Sequence, residues 1–593
     1  MKTNTRLFDC LNLEVLKNKE ILLASKVNGV YKGLSGQFVI DEINALTNGL
    51  LSLGISKKDN IEDQIKIGII SPSRPEWLIV DLATQQAGAV LVPLYPNINF
   101  DEVIYVFNNA LVQYCFVGEL KTYKALLKIK DQIPSLKEIY CFQEEKDVKH
   151  WSELKKPLTD SDLEKIESIK SSIKKDDIAT IIYTSGTTGN PKGVMLSHKN
   201  IVSNVENLHE VIEGIGFKER RSLSFLPLNH IYEKTISYIY LNYGFSIYYA
   251  EGMETIRTNL KEVKPEVFVT VPRLLEKIYE KIMNTGSELK GIKRQLFFWS
   301  VEVGNQYKIE GNSVWLNIQL AIANKLIFNK WRASLGGNLR TIVVGGAACP
   351  PKLARLFTAA QIPIMEGYGL TESSPVISIN RYDKKNRKIG TIGPIIKNIE
   401  VKFDAEGELL CKGDNVMVGY YKDPEETAKT IVDGWLHTGD IGEWVDSKFL
   451  KITDRKKELF KNSGGKYIAP QPIENIIKLS LFIEQAIVLG ANKKYVGALI
   501  VPNFESLKKW MKANNIPFIS NEDAVVNETV IKHYKSIINA TNKELSPIET
   551  IKRFKILSRE FTVESKELTP KLSMRRKVIT DHFKDEAAAL FNK

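Results

Sequence analysis

Between Tyr183 and His198 the chain reads YTSGTTGNPKGVMLSH, with hydroxyls at Thr184, Ser185, Thr187 and Thr188, glycines at Gly186, Gly189 and Gly193, and a single lysine, Lys192. Few of these side chains can fill a core. Glycine lets backbone N–H groups approach anionic oxygens, hydroxyls donate hydrogen bonds and the lysine neutralises charge, so the chemistry implied is phosphate binding. The phosphate loop of the Walker A type requires G-x-x-x-x-G-K-[ST]. Counted from Gly186, Lys192 stands at the right offset, but Pro191 takes the place of the second glycine and Gly193 that of the Ser/Thr. A phosphotransferase of that class is disfavoured.

Such a loop needs a strand before it, and IATIIYT supplies one. Strand, Gly/Pro turn and helix recur along the chain. IKIGII, the helical LIVDLATQQAG and AVLVPLY form a βαβ unit, and EVFVTV runs into PRLLEKIYEKI with Pro272 at a first helical position. LRTIVVGGAACPPKLARLF repeats the arrangement, as does IPIMEGYGLTE. Short apolar strands buried on both faces predict an α/β fold, a large N-terminal domain with mostly parallel sheets flanked by helices. Ligands in such sheets sit at the turns after the strands. The glycine-bearing turns near 184–193, 345–347 and 367–372 are therefore candidate walls of one cleft. Beyond DRKK the character changes: QPIENIIKLS, IEQAIVLG, YVGALIVP and a charged helical tail predict a smaller α+β domain, giving domains 1–455 and 456–593.

With 593 residues, 43% of them hydrophobic, the chain can bury more than one core. The N-terminal segment lacks the unbroken apolar stretch of a signal peptide, and ISYIYLNYGFSIYYA is too short and interrupted for a membrane span. Five scattered cysteines without a CxxC pair fit reduced thiols and a cytoplasmic location, and the seven histidines show no zinc spacing. A net charge of +12 favours polyanions. These are nucleotides first and an anionic membrane surface second, the latter allowing a peripheral position at the membrane. No nucleic-acid motif accompanies the charge, so nucleic acid is not expected as a partner.

YTSGTTGNPKGV closely resembles the phosphate loop of the adenylate-forming superfamily: acyl-CoA synthetases, peptide-synthetase adenylation domains and luciferases. Seven segments match in order. After the loop, PLNHIYEK is similar to the acyl-pocket segment, GGAACP to the adenine-side turn and GYGLTE to the nucleotide and metal segment. WLHTGD resembles the ribose segment, DRKKELFKNSGGKYIAP the hinge and ELTPKLSMRRK the C-terminal catalytic loop. KPEVFVTVPRLLEKIYEKI, GYGLTESSPV and KNSGGKYIAPQPIE look most like the long-chain fatty acyl-CoA synthetase branch.

The resemblance implies ATP-dependent activation of a fatty acid to an acyl adenylate with release of pyrophosphate, then transfer to CoA, with ATP, Mg²⁺ and CoA as cofactors or co-substrates. It implies that Thr184, Ser185, Gly186, Thr187, Thr188, Gly189 and Lys192 hold the β- and γ-phosphates. Thr371 contacts the α-phosphate, and Glu372 ligates Mg²⁺ with Thr184 a second ligand. Tyr368, between Gly367 and Gly369, stacks on adenine, with Gly346 and Ala347 opposite. Asp440 accepts the ribose hydroxyls with help from Arg455, and His230 positions the acyl carboxylate. The small domain is mobile about Lys457, and Gly464 and Gly465 face the pantetheine arm. Read alone, Glu372 is a helix-start carboxylate, Asp440 a turn residue and His230 a structural histidine; their place in the series moves them. His198 reads as structural. The aromatic run from Tyr232 to Tyr249 fits an acyl tunnel or ordinary core, and acyl chain length and oligomeric state stay open.

The chain departs from the pattern in LTPKLSMRR, where Ser573 stands at the position of the expected lysine. A serine cannot supply positive charge to a pentavalent phosphorus. Lys571 from a shifted loop is the favoured substitute, Arg575 or Arg576 the alternative, and impaired adenylation the third reading. Two rival functions follow: an acyl-AMP ligase that loads a carrier protein, and a nucleotide- and fatty-acid-binding protein that has lost catalysis.

Overall fold

The computed structural model describes residues 5–184, 190–568 and 574–592. The chain divides into two compact units. The larger comprises Met1–Lys402, Leu410–Thr438 and Val445–Leu450; the smaller comprises Phe403–Leu409, Gly439–Trp444 and Lys451–Lys593.

Two mostly parallel sheets build the larger unit. In the first, Ile178–Thr184, Val90–Leu94, Lys66–Ile70, Val112–Val117 and Glu138–Cys141 lie side by side and parallel, and Lys192–Ser197 and Gly419–Tyr420 extend the edge antiparallel. The expected βαβ unit is present, with helix Pro75–Gln86 between the parallel strands Lys66–Ile70 and Val90–Leu94. The second sheet runs Val376–Ile379, Ile364–Gly369, Thr341–Val344, Val267–Thr270, Arg221–Ser224, Ser246–Tyr249, Leu23–Val27 and Val30–Leu34; only its outermost pairs are antiparallel. Its strands Val267–Thr270, Thr341–Val344 and Val376–Ile379 are buried along their whole length, which is why they read as short apolar runs. Pro272 opens helix Pro272–Ser287 as its first residue, where a missing N–H costs nothing.

One expected repeat differs. After Ile364–Gly369 the chain makes a single 3₁₀ turn, Thr371–Ser373, and returns as the antiparallel strand Val376–Ile379 rather than continuing into a helix. Ser374 is left-handed (φ 65°), and Pro375 has no N–H to donate to a helix, so the turn cannot propagate.

Helix Ile231–Asn242 is buried along nearly its whole length and carries charge into the core. Lys234 forms an ion pair with Asp81 of Pro75–Gln86, both side chains fully buried, and the Tyr238 hydroxyl donates to the same carboxylate at 2.8 Å. Burial pulls the Lys234 ammonium down, and Asp81 opposes it. The next-door Glu233 is also buried; burial pushes its carboxyl up to about 8, against the hydrogen bond that Ser224 donates.

In the smaller unit, Ile483–Leu489 and Val496–Pro502 pair antiparallel as expected, with helix Pro470–Ile477 before them. The charged tail is not wholly helical: Ile551–Ile556 joins the sheet parallel to Val496–Pro502. Its sequence, IKRFKI, buries Ile551 and Ile556 and turns its lysines out. Near the C-terminus Glu567 accepts from Arg559 (2.6 and 2.9 Å), Ser565 (2.6 Å) and His582 (2.9 Å). Burial alone would raise this carboxyl, but those donors hold it down at about 2.

Removing one member of the buried pair by Lys234→Met should cost about 3–5 kcal/mol, because Asp81 is stranded. Adding Asp81→Asn should recover most of it, and urea denaturation of the wild type and the two variants tests both statements. Glu567 is ionised in the folded state at a pH where the unfolded carboxyl, near 4.3, is already protonated. Its stabilisation is complete above that value and is lost as pH falls toward 2. Glu567→Gln should therefore flatten the acid limb of a pH–stability curve; an unchanged limb would remove this assignment.

Candidate active site

Strand Ile178–Thr184 ends at Thr184, directly opposite Lys192 in the antiparallel pair with Lys192–Ser197. That pairing closes the glycine-rich turn at its base and points both residues to the same end of the sheet. Ser185, Gly186, Thr187, Thr188 and Gly189 lie outside the described residues. Lys192 forms an ion pair with Glu426, and its ammonium lies 5.4 Å from the centroid of the Tyr420 ring. Tyr420 is held by pairing opposite Val194, and its N–H donates to the Thr427 hydroxyl at 2.8 Å.

The Tyr420 hydroxyl donates to Glu372 Oε1 at 3.0 Å. Burial and the Glu372 carboxylate both push the phenol far above its ordinary value, so it stays a donor at every working pH. One side chain thus joins Lys192 to Glu372, residues 180 positions apart by subtraction of their numbers. Sequence reasoning missed Tyr420 and Glu426; the signal was the segment GYYKDPEET, which places them seven residues from tyrosine to Thr427 on one turn and short helix.

Glu372 sits in the turn Thr371–Ser373, with Thr371 buried beside it. Met417 N–H donates to the Glu372 carbonyl at 2.9 Å, and the Asn415 amide donates to the Ser373 carbonyl at 3.2 Å. Asn204 receives the Val376 N–H at 2.8 Å. The turn is therefore tied on three sides. Gly367 and Tyr368 pair with Ile379 and Ser378, and a Cβ on Gly369 would lie 1.6 Å from the Pro375 carbonyl oxygen. Only glycine fits there.

Gly346 follows strand Thr341–Val344 in a left-handed turn (φ 79°), with Ala347 exposed beside it. A Cβ on the preceding Gly345 would stand 3.1 Å from the Tyr232 hydroxyl. Tyr232 opens helix Ile231–Asn242, whose N-cap is His230: Nδ1 accepts from the Tyr232 N–H at 3.1 Å. Tyr232 thus stands against the GGAACP turn, and His230 precedes it as the helix cap. The Tyr232 hydroxyl is buried and has no hydrogen-bond partner among the described residues. His198 is a core residue, as its sequence reads: Nδ1 accepts from the Leu7 N–H at 3.2 Å, and burial pulls the imidazole down to about 4.

Within the smaller unit, Asp440 is buried, with Arg455 Nε 3.6 Å from its carboxylate. Gly439 is left-handed (φ 72°) and its N–H donates to Glu408 at 2.8 Å. Lys456 pairs with Glu406 and Glu408 at 2.6 and 3.0 Å, whereas Lys457 is exposed in the following turn. Gly464 and Gly465 form the exposed tip of the hairpin between Phe460–Lys461 and Tyr467–Ile468. Asn462 Oδ1 accepts the N–H groups of Gly464 and Lys466 at 3.0 Å and shapes that tip.

Lys571 and Ser573 lie outside the described residues, but the base of their loop is fixed. Leu568 bridges Met574, and Arg575 N–H donates to the Glu567 carbonyl at 2.8 Å. Arg576 is engaged elsewhere: its guanidinium grips buried Glu474 bidentately (2.6 and 2.7 Å) and Glu458 at 3.0 Å. A guanidinium bound on three nitrogens inside the small unit is poorly placed to serve a phosphate.

Glu372 fits a divalent magnesium ion by its chemistry. It is a half-buried carboxylate that accepts from a neutral phenol, so its negative charge is still available to a cation, and hard oxygen donors suit magnesium. The Thr184 hydroxyl is an oxygen of the same class.

Residues 17–421 match the family model of AMP-binding enzymes, and residues 459–593 match that of the AMP-binding enzyme C-terminal domain. Long-chain-fatty-acid–CoA ligase 5 of Rattus norvegicus is 33% identical over 610 residues, covering 98% of this chain and 87% of the relative. Long-chain-fatty-acid–CoA ligase FadD15 of Mycobacterium bovis is 30% identical over 573 residues, covering 96% and 94%. Among solved structures, the adenylation domain of the carboxylic acid reductase of Segniliparus rugosus, bound to AMP and a carboxylic acid, superposes with a TM-score of 0.74 at 18% identity, covering 99% of this chain and 94% of that one. The anthranilate CoA ligase AuaEII, bound to anthranoyl-AMP, gives 0.72 at 16% identity, with 99% of both chains covered. These two establish the shared fold. The matches to the family models and to full-length relatives place this chain in the AMP-binding enzyme family, among the long-chain-fatty-acid–CoA ligases.

Proposed function

We infer that this chain is an AMP-forming ligase that activates a long-chain fatty acid with ATP and passes the acyl group to CoA. A carboxylate is a poor electrophile because its charge repels nucleophiles. Its oxygen attacks the α-phosphorus of ATP, the bond to pyrophosphate breaks, and an acyl adenylate forms. The CoA thiol then attacks the acyl carbon and AMP leaves. The first step gathers anions at one point, so positioning and charge neutralisation carry it.

The observation that supports this most directly is the Lys192–Tyr420–Glu372 bridge, which sets a cation and a carboxylate at the edge of the glycine-rich turn. In this reading Thr184 through Gly189 hold the β- and γ-phosphates, and Lys192 exchanges Glu426 for phosphate. Glu372 and Thr184 hold magnesium, which when bound neutralises phosphate charge. Thr371 contacts the α-phosphate; Tyr368, flanked by Gly367 and Gly369, faces Gly346 and Ala347 across the adenine. Asp440, steadied by Arg455, takes the ribose hydroxyls. His230 and the unpartnered hydroxyl of Tyr232 make the polar end for the acyl carboxylate, with the aromatic run to Tyr249 beyond it.

Residues 1–455 and 456–593 are the functional division, with Lys457 the hinge and Gly464 and Gly465 facing the pantetheine arm. Lys571 supplies the charge that Ser573 lacks; the engagement of Arg576 by Glu474 favours Lys571 over it. Among the described residues no helix is long and apolar enough to cross a membrane. The enzyme works from the cytoplasm and touches an anionic membrane surface peripherally, as its net charge of +12 favours.

Pyrophosphate release with ATP, Mg²⁺ and a panel of carboxylic acids, with and without CoA, tests the reaction. Release with long-chain acids and formation of acyl-CoA are expected; no release with any acid would overturn it. Glu372→Gln should slow adenylation at least about a hundredfold while the fold survives. Tyr420→Phe should raise the magnesium concentration needed for binding of a non-hydrolysable ATP analogue by about tenfold, read by calorimetry. Lys571→Ala should slow adenylation far more than thioester formation from supplied acyl adenylate; equal slowing would point to Arg575.

A further inference from the structure

The helix Val314–Ala323 has no charged residue; Asn317 and Gln319 are its only polar ones. One face is packed: Leu320 and Ala323, continued by Ile327 and Phe328 of the turn Asn324–Phe328, are buried against the core of the larger unit. The other face is bare. Val314 is 77% exposed, Trp315 66%, Ile318 47%, Ile322 44% and Leu326 42%. Their spacing of three or four residues puts them on one continuous stripe. A helix apolar all round belongs in a core, and a contiguous exposed apolar stripe marks a surface that something covers.

We propose that this stripe is the surface through which the chain lies on an anionic lipid bilayer. The proposal rests on the membrane contact inferred above and names the element that makes it. Charge decides the occupant. From residue 291 to 334 six lysines and arginines stand against two acids, Glu302 and Glu310, and Lys325 and Lys330 are exposed at the end of the stripe. The helix packed against it, Gly291–Asn305, exposes Ile292 and Phe298 together with Lys293 and Arg294. Anionic headgroups complement this excess of cations, whereas a second copy of the face would set it against the same excess. The helix lies in the interface rather than across it, its apolar side chains in the acyl boundary and its lysines reaching up to phosphate. A bilayer is also where a long-chain acid resides, so docking there brings the enzyme to its substrate.

Flotation with vesicles of phosphatidylcholine, with or without phosphatidylglycerol, tests the assignment. The full-length protein should float with the anionic vesicles and less so with the neutral ones, and added salt should release it. Ile318→Ser/Ile322→Ser should bind at least about tenfold more weakly. That variant should keep the wild-type thermal midpoint and its activity on a water-soluble medium-chain acid. Wild-type protein that does not float with anionic vesicles would overturn the membrane contact itself. Wild type and variant floating equally would leave that contact standing and overturn the stripe as its site. A dimer that the variant dissociates, without vesicle binding by either, would overturn both.

Discussion

The arrangement around the glycine-rich segment of the larger unit depends on the antiparallel return of Lys192–Ser197 beside Ile178–Thr184. A parallel sheet delivers its loops to one edge, and here the two strands that flank the glycine-rich segment are held to each other. Backbone pairing on both sides of the turn supplies that hold. Gly419–Tyr420 then pairs with the outer strand, and this added strand is what brings a tyrosine ring beside Lys192 and its hydroxyl to Glu372. The bridge is thus a consequence of strand order, and it couples the second sheet to the first through one side chain.

The second constraint is electrostatic. Helix Ile231–Asn242 carries Glu233 and Lys234 into a region without water, a cost that only specific partners can offset. Lys234 has its partner in Asp81, fixed on another helix, so the helix is anchored in rotation as well as position. With that rotation set, His230 caps the helix start and Tyr232 reaches the Gly345 turn. Glu233 takes the other route open to a buried acid: it remains protonated to about 8.

In the smaller unit the same economy governs the C-terminal loop. Glu474 is buried and would be costly alone; Arg576 satisfies both its oxygens and is thereby withdrawn from other duties. Glu567 gathers Arg559, Ser565 and His582 at the foot of the loop that bears Lys571. These two carboxylates determine where the loop begins and ends, independent of what its tip does.

By itself the sequence determined the fold class, the order of the motifs and the family, because those depend on local signals: β-branched runs bounded by glycine and proline, and segments whose residues act as a unit. Thr184, Lys192, Thr371 and Glu372 could be named as candidates because each lies within such a segment. Where a local signal was outweighed or absent, the reading failed. Ser374 and Pro375 turned a strand back where a helix was expected, and IKRFKI, whose apolar residues do not alternate, carried no strand period to set against its charges. Only the tertiary structure decided Tyr420 and Glu426 as partners of Lys192, Asp81 as partner of Lys234, and Glu474 as the anchor of Arg576. Each is a contact between distant segments, made by strand order or helix packing. No periodicity in one segment encodes it, since the energy of such a pair exists only once both side chains have been taken out of water together.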